Sequence, residues 1–263
     1  MGRLDNLRVL VTGAASGIGQ ATALRLLDEG AAVVAADVSA DGLEKTRAQA
    51  QEIGASERLF TLDMNIGDET SVVDGVRAAV DSRGGLDALV NAAGILRATH
   101  THEMSLQQWN QVIGVNLTGT FLVVREALPA LLENPRSTIV NFSSTSATFA
   151  QPYMAAYAAT KGAVQSFTHA IAIEYAKRGL RAVCVAPGSI KSGITDATPG
   201  YLPAEADWSL LAKLSPILPT SLESGGAGMG DPSAVAGVIA MLVSDDGAFI
   251  TGTEIRVDGG THA

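Results

Sequence analysis

An α/β fold with a doubly wound parallel sheet is predicted by three features of the 263-residue chain. Short apolar runs recur at wide spacing, and several are continuously apolar, as suits strands buried on both faces. The stretches between them are long enough for the crossover helices that parallel strands require. The first run also passes directly into a glycine-rich turn and then a helical pattern, a unit that brings backbone close to a ligand.

In chain order the strand candidates are LRVLV (7–11), AAVVAA (31–36), RLFTL (58–62), DALVN (87–91), STIVNF (137–142), RAVCVA (181–186) and TEIRV (253–257). Helical patterns fall between them at about 17–29, 39–53, 68–82, 105–134, 154–178 and 231–243. The last carries its own start signal, with Asp231 as N-cap and Pro232 at the first helical position. The stretch 193–230 breaks the rhythm with Pro199, Pro203, Pro216, Pro219 and a glycine cluster around WSLLAKL. A loop of that length inside one domain reads as a lid over a site, with Trp208 and the leucines after it as an apolar wall.

Composition narrows the classes of partner. With 18 Lys and Arg against 27 Asp and Glu, the net charge is −9 and the cations are scattered, so neither nucleic acid nor an anionic membrane is an expected partner. The single cysteine, Cys184, sits in an apolar run and reads as a small buried hydrophobe. His100 and His102 lie two apart without a third ligand in a motif, so no metal is expected. No apolar run in the sequence approaches the ~18 residues of a membrane span, and a soluble cytoplasmic protein is expected.

The turn TGAASGIG (12–19) lets backbone approach a pyrophosphate at a helix N-terminus. Asp37 closes the second strand eighteen residues past Gly19, where a carboxylate can accept both hydroxyls of an adenosine ribose. It would repel a 2′-phosphate, and no Lys or Arg lies in the turn or beside Val38 and Ser39 to offset that, so NAD is expected over NADP.

Further along, PYMAAYAATKGAV sets Tyr153, Tyr157 and Lys161 at intervals of four in an Ala-rich helical pattern. Such residues can be plain amphipathic decoration. The chemical alternative is that an ammonium one turn away favours the tyrosinate, making a phenol of ordinary pKa about 10 usable as a base near neutrality.

Taken together, TGAASGIG, LDM ending at Met64, NAAG (91–94), GVNLTGTF with Asn116, IVNFSS with Ser144, YAATK, APGSI (186–190) and FITGTEIRVDGG closely resemble the short-chain dehydrogenase/reductase family. The resemblance implies a single three-layer Rossmann domain over 1–263 with a seven-stranded parallel sheet, and a homotetramer. It implies a catalytic set of Asn116, Ser144, Tyr157 and Lys161: Tyr157 as general acid/base, Lys161 lowering its pKa and holding ribose, Ser144 binding the substrate oxygen, Asn116 holding a relay water. It implies cofactor contacts at Gly13, Ser16, Gly17, Ile18, Gly19, Asp37, Val38, Asp63, Met64, Asn91, Ala92, Ala93, Gly94, Pro187, Gly188, Ile190 and Ser192, besides Tyr157 and Lys161. Ser192 stands where many members have threonine. Candidate substrate contacts are Ser144, Ser146, Gln151, Tyr153, Tyr157 and Trp208. The expected activity is NAD-linked interconversion of a secondary alcohol and a ketone with an apolar substrate, hydroxysteroid-like or hydroxyacyl-like. The alternatives are an NADPH-dependent 3-oxoacyl-thioester reductase and a non-catalytic NAD-binding sensor.

Overall fold

A computed structural model describes residues 2–149, 151–211, 214–218 and 228–262. Its strands are β1 (Arg8–Thr12), β2 (Ala32–Asp37), β3 (Leu59–Asp63), β4 (Ala88–Asn91), β5 (Thr138–Phe142), β6 (Arg181–Pro187) and β7 (Glu254–Val257), each within a residue of its predicted run. All pair in parallel in the order β3-β2-β1-β4-β5-β6-β7. The winding reverses between β1 and β4, and in an open α/β sheet the crevice at that reversal is where ligands bind.

The helices are α1 (Gly17–Asp28), α2 (Ala40–Glu52), α3 (Glu69–Arg83), α4 (Leu106–Ile113), α5 (Thr120–Leu131), α6 (Ala155–Tyr175), α7 (Gly193–Ala197), α8 (Trp208–Leu211) and α9 (Pro232–Val243). They cover the sheet on both faces. Leu26 and Leu27 of α1, Leu43 of α2 and Ile239 and Leu242 of α9 pack against Val9, Val11 and Val33. Val72 and Val76 of α3, Val123 of α5 and Ile171 of α6 pack against Leu10, Val34 and Leu89 on the other side. Successive strand residues feed opposite layers, and both layers are apolar, which explains the continuous apolar runs.

The expected N-cap of α9 forms, with Asp231 Oδ1 accepting from Ser233 N at 2.9 Å. The helix expected over 105–134 is interrupted: Gly114–Gly119 winds as a π-helical turn between α4 and α5. At this widened turn Asn116 reaches the backbone of Ile95, and the chain passes so close to the loop after β3 that a Cβ on Gly119 would lie 2.6 Å from the Ile66 carbonyl. The run Leu106–Leu131 is long and apolar enough by composition to cross a membrane, but Leu122, Val123, Val124, Ala127 and Leu131 are buried in the core beside α3 and the sheet. The helix expected over 154–178 closes as a 3₁₀ turn at Ala176–Arg178, stopped by Gly179 at φ 86°.

Candidate active site

A cleft of ≈ 420 Å³ opens at the carboxyl ends of the strands, over the β1/β4 reversal. Its floor is the turn between β1 and α1. Gly13 has φ +70°, and a Cβ there would lie 2.7 Å from the Ala93 backbone; on Gly19 it would lie 2.1 Å from the Gly13 carbonyl. Only glycine permits both approaches. The turn is pinned by Ala14 N donating to Ala36 O at 3.2 Å and Ala93 N donating to Thr12 Oγ1 at 3.3 Å. At the α1 N-terminus Ser16 makes no capping bond, so first-turn N–H groups stay available to an anion.

Asp37 borders the same cleft, its carboxylate aimed by two backbone donors, Ala15 N and Ser39 N, each at 3.0 Å. Two backbone bonds leave the carboxylate with further acceptor positions. The other charged side chain on the cleft wall among the described residues is Arg97, whose guanidinium lies 4.8 Å over the Tyr201 ring. A narrow backbone cradle, uncapped helix donors and a carboxylate across from them fit a dinucleotide with a free ribose diol.

Beside the cleft, α6 carries Tyr157 and Lys161 on one face. The Lys161 Nζ is buried, donates to the Phe142 carbonyl at 2.9 Å and lies 5.5 Å from the Tyr157 ring centroid. Burial pulls the ammonium down to about 8. Burial likewise pushes the Tyr157 phenol up to about 12, and its hydrogen bond with the Ser144 hydroxyl works in the other direction. Ser144 lies two residues past the end of β5, and its Oγ accepts from Ser146 N at 3.2 Å.

Asn116 completes the cluster. Its Oδ1 accepts from Ile95 N at 2.8 Å, and its Nδ2 donates to Ile95 O at 2.8 Å and to Thr160 Oγ1 at 3.2 Å. Thr160 Oγ1 donates in turn to the Tyr157 carbonyl at 2.7 Å. The π-helical turn, the loop after β4 and the catalytic-candidate helix are thus joined by one chain of buried hydrogen bonds. One lone pair of Asn116 Oδ1 is left, on the side facing Gly94 and Lys161, since a Cβ on Gly94 would lie 3.3 Å from that oxygen and 3.8 Å from Nζ.

Ser144 and Tyr157 face a second cavity of ≈ 520 Å³, whose far wall includes Leu202, Trp208 and Leu211. Leu96 and Ile194 border both this cavity and the cleft, so the two spaces meet.

Residues 8–200 match the family model for short chain dehydrogenases. This chain belongs to the short-chain dehydrogenase/reductase family. It is 35% identical over 258 residues to the 3-oxoacyl-[acyl-carrier-protein] reductase FabG of Thermotoga maritima, covering 98% of each chain. It is 33% identical over 259 residues to the 2,5-dichloro-2,5-cyclohexadiene-1,4-diol dehydrogenase LinX of Sphingobium indicum, covering 98% of this chain and 97% of that one. A 3-ketoacyl-(acyl-carrier-protein) reductase from Brucella melitensis complexed with NADH superposes with TM-score 0.85 at 30% identity, covering 99% of this chain and all of that one. A short chain dehydrogenase from Burkholderia cenocepacia in complex with NADP gives 0.84 at 28%, with 99% and 100% covered. Oxidoreductases that use a nicotinamide cofactor are therefore its kin, with both forms of that cofactor among them.

Within this short-chain dehydrogenase/reductase, the cleft wall gathers Gly13, Ser16, Gly17, Ile18, Gly19, Asp37, Val38, Met64, Ala92, Ala93, Gly94 and Ser192 from the predicted contacts. Others lie elsewhere. Asp63 is exposed, paired in register beside Asp37, and it is Met64 that borders the cleft, its side chain packed in the core against α3. The Asn91 side chain points away, its Nδ2 donating to Asn141 Oδ1 at 2.8 Å. Pro187 and Ile190 are packed in the interior, and Gly188 borders the second cavity. Of the substrate candidates, Ser144, Gln151, Tyr157 and Trp208 line that cavity. Ser146 faces a neighbouring trough instead, and the Tyr153 hydroxyl is taken by Asp207 N at 2.8 Å. His100 stands 3.3 Å from Glu205 and edge-on to Tyr153. Sequence reasoning missed Asn65, Ile66, Arg97, Val115 and Tyr201 on the cleft wall. Asn65 and Ile66 carried a signal, directly following the LDM motif, and so did Val115, which precedes Asn116 in GVNLTGTF.

Proposed function

We propose that this dehydrogenase oxidises a secondary alcohol to a ketone, with NAD as hydride acceptor and Tyr157 as the proton acceptor. The observation that carries the reading is the Tyr157 phenol at the meeting of cleft and apolar cavity, hydrogen-bonded with Ser144 and with the Lys161 ammonium beneath its ring. A nicotinamide bound in the cleft supplies the hydride chemistry. Taking a hydride from the carbinol carbon leaves a carbonyl only if the hydroxyl proton departs too, and Tyr157 Oη receives it. The Ser144 hydroxyl donates to the substrate oxygen as negative charge develops there. Lys161 carries its charge below about pH 8, and in this reading that charge works against the burial that pushes the Tyr157 phenol up to about 12, while the ammonium is placed to hold the cofactor ribose. Asn116 keeps one Oδ1 lone pair for a water beside Lys161, through which the proton can pass on to solvent.

Asp37 supports NAD over NADP, because its aimed carboxylate accepts from a ribose diol and repels a phosphate in the same place. The apolar faces of Leu106, Phe121 and Ile173, all exposed, support assembly as a homotetramer, and the reading takes the cytoplasmic NAD pool as the working environment. An NADPH-linked thioester reductase is the second reading, favoured by the likeness to FabG. Initial rates over a panel of secondary alcohols and ketones with NAD(H) and NADP(H) decide between them. The expected result is at least about a tenfold preference for NAD, lost in Asp37→Ser, and turnover abolished in Tyr157→Phe. A preference for NADP(H), or turnover undiminished by Tyr157→Phe, overturns the reading.

A further inference from the structure

The cavity into which Tyr157 and Ser144 point has an unusual distribution of polar capacity. Among its described wall residues there is no Asp, Glu, Lys, Arg or His. Its hydroxyls are turned to main-chain carbonyls: Ser189 Oγ donates to Leu214 O at 2.8 Å, Thr195 Oγ1 to Ser192 O at 2.8 Å, and Thr198 Oγ1 to Ile194 O at 2.7 Å. Ser215 is exposed to solvent. What these side chains present inward is carbon, continuous with Met154, Leu202 and Leu211.

Gln151 is the exception. Its Nε2 donates to Thr145 Oγ1 at 3.2 Å, which fixes the amide but uses only one of its two N–H groups and neither lone pair of Oε1. The remaining donor and acceptor belong to a side chain on the cavity wall, separate from the pair that handles the reacting oxygen. Gln151 is half-buried, and its spare donor and acceptor are available to hydrogen-bond a second oxygen on the substrate.

We propose that the substrate is an uncharged alcohol bearing a second oxygen, and that Gln151 selects it by hydrogen-bonding that oxygen while Tyr157 and Ser144 act on the first. The proposal rests on the alcohol-oxidation reading above and adds charge state and a second polar anchor to it. A volume of ≈ 520 Å³ has room for a substituted ring. A carboxylate or phosphate would enter a wall that offers it no cation among the described residues, and desolvating such a charge without a partner is prohibitive. The second oxygen is not oxidised: one hydride and one proton leave the first carbinol, and the diol becomes a hydroxyketone.

The test is NAD-linked oxidation of size-matched probes: cyclohexanol, the 1,2-, 1,3- and 1,4-cyclohexanediols, and 4-hydroxycyclohexanecarboxylate. One neutral hydrogen bond predicts that the best diol exceeds cyclohexanol by about 3- to 10-fold in kcat/KM, and an unpaired buried charge predicts at least about a 100-fold deficit for the carboxylate. Gln151→Met, which keeps the length of the side chain, is expected to shrink the diol advantage to within about twofold, with NADH binding by fluorescence confirming an intact cleft. Comparable rates for carboxylate and diol, or no diol advantage in the wild type, overturn the proposal while leaving alcohol oxidation standing. A diol advantage that survives Gln151→Met removes Gln151 as its source and overturns the proposal as well. No turnover of any probe, or full turnover by Tyr157→Phe, instead takes down the underlying reading and this proposal with it.

Discussion

Thr160→Val exchanges a hydroxyl for a methyl at nearly constant volume, and the structure sets what that costs. Thr160 has no exposed surface; its Oγ1 gives its hydrogen to the Tyr157 carbonyl at 2.7 Å and takes one from Asn116 Nδ2 at 3.2 Å. In valine neither contact forms, and one amide hydrogen of buried Asn116 is left without a partner. An orphaned buried donor costs about 1–3 kcal/mol, and a domain of this size loses about 2–4 °C in Tm per kcal/mol, so a mid-range cost lowers Tm by about 4–8 °C. The same amide holds Ile95, next to Gly94 on the cleft wall, so loosening it disturbs the cofactor seat and the Tyr157 turn together. A fall in kcat of about tenfold is expected with a rise in KM for NAD, both largely restored by Thr160→Ser. Calorimetry and steady-state kinetics on the two variants check this. A Thr160→Val enzyme with kcat within about twofold of wild type and unchanged Tm would refute the bracing role.

Alcohol oxidation uses the deprotonated phenol, so its rate should rise with pH, and ketone reduction should fall as pH rises through the same group. Removing the cation in Lys161→Met should move the acid limb of the oxidation profile, at saturating NAD, upward by at least about one pH unit, and an unmoved limb counts against the assigned electrostatics. At the opposite end of the sheet, burial raises the Asp87 carboxyl, but hydrogen bonds from Arg8 and Asn134 outweigh it and hold its pKa below the usual 3.8. A depressed folded-state value contributes stability that is complete above the unfolded pKa and lost as pH falls through the folded one. Asp87→Asn should therefore flatten the acid side of a plot of Tm against pH below about pH 4 while lowering Tm at neutrality.

The inner strands were legible because each is short, buried on both faces and bounded by turn residues, whereas β3 and β7 at the sheet's edges are only partly buried. The cofactor turn was legible for a related reason: it joins a strand directly to a helix, and Gly19 answers to a contact within that unit, its approach to Gly13, although Gly13 and Gly17 answer to Ala93 and Ser192 from elsewhere in the chain. The π-helical turn was not legible. Its register is set by Asn116 reaching Ile95, twenty-one residues away in sequence, and nothing in GVNLTG distinguishes that from an ordinary helical stretch. Asp63 failed for a subtler reason. It ends β3 in register with Asp37, yet being exposed at the sheet's outer strand it leaves the cleft to Met64 and Asn65 on the loop that follows. Arg97 and Tyr201 lie more than a hundred residues apart and meet only because the segment after β6 folds across the loop after β4.

Tyr153 and Tyr157 show the same limit at closer range. A spacing of four puts two residues on one helical face only if the helix contains both, and α6 begins at Ala155. Tyr153 lies outside it with φ +67°, a left-handed conformation that a bulky residue adopts at a cost of roughly 1–2 kcal/mol. Contacts at both ends of the residue hold it there. Its carbonyl accepts from Thr99 N at 2.9 Å, its ring stands edge-on to His100 at 5.2 Å, and its hydroxyl accepts from Asp207 N at 2.8 Å. His100 in turn meets Glu205, so the loop after β4, the approach to α6 and the segment leading to Trp208 are fastened at one tyrosine. The strained backbone thus turns one phenol outward to fasten the cavity's outer wall, while helical geometry turns the other inward, above Lys161 and beside Ser144. The residue that the sequence offers as a second candidate base thus holds the wall in place, away from the Ser144 hydroxyl and the Lys161 ammonium that lie beside Tyr157.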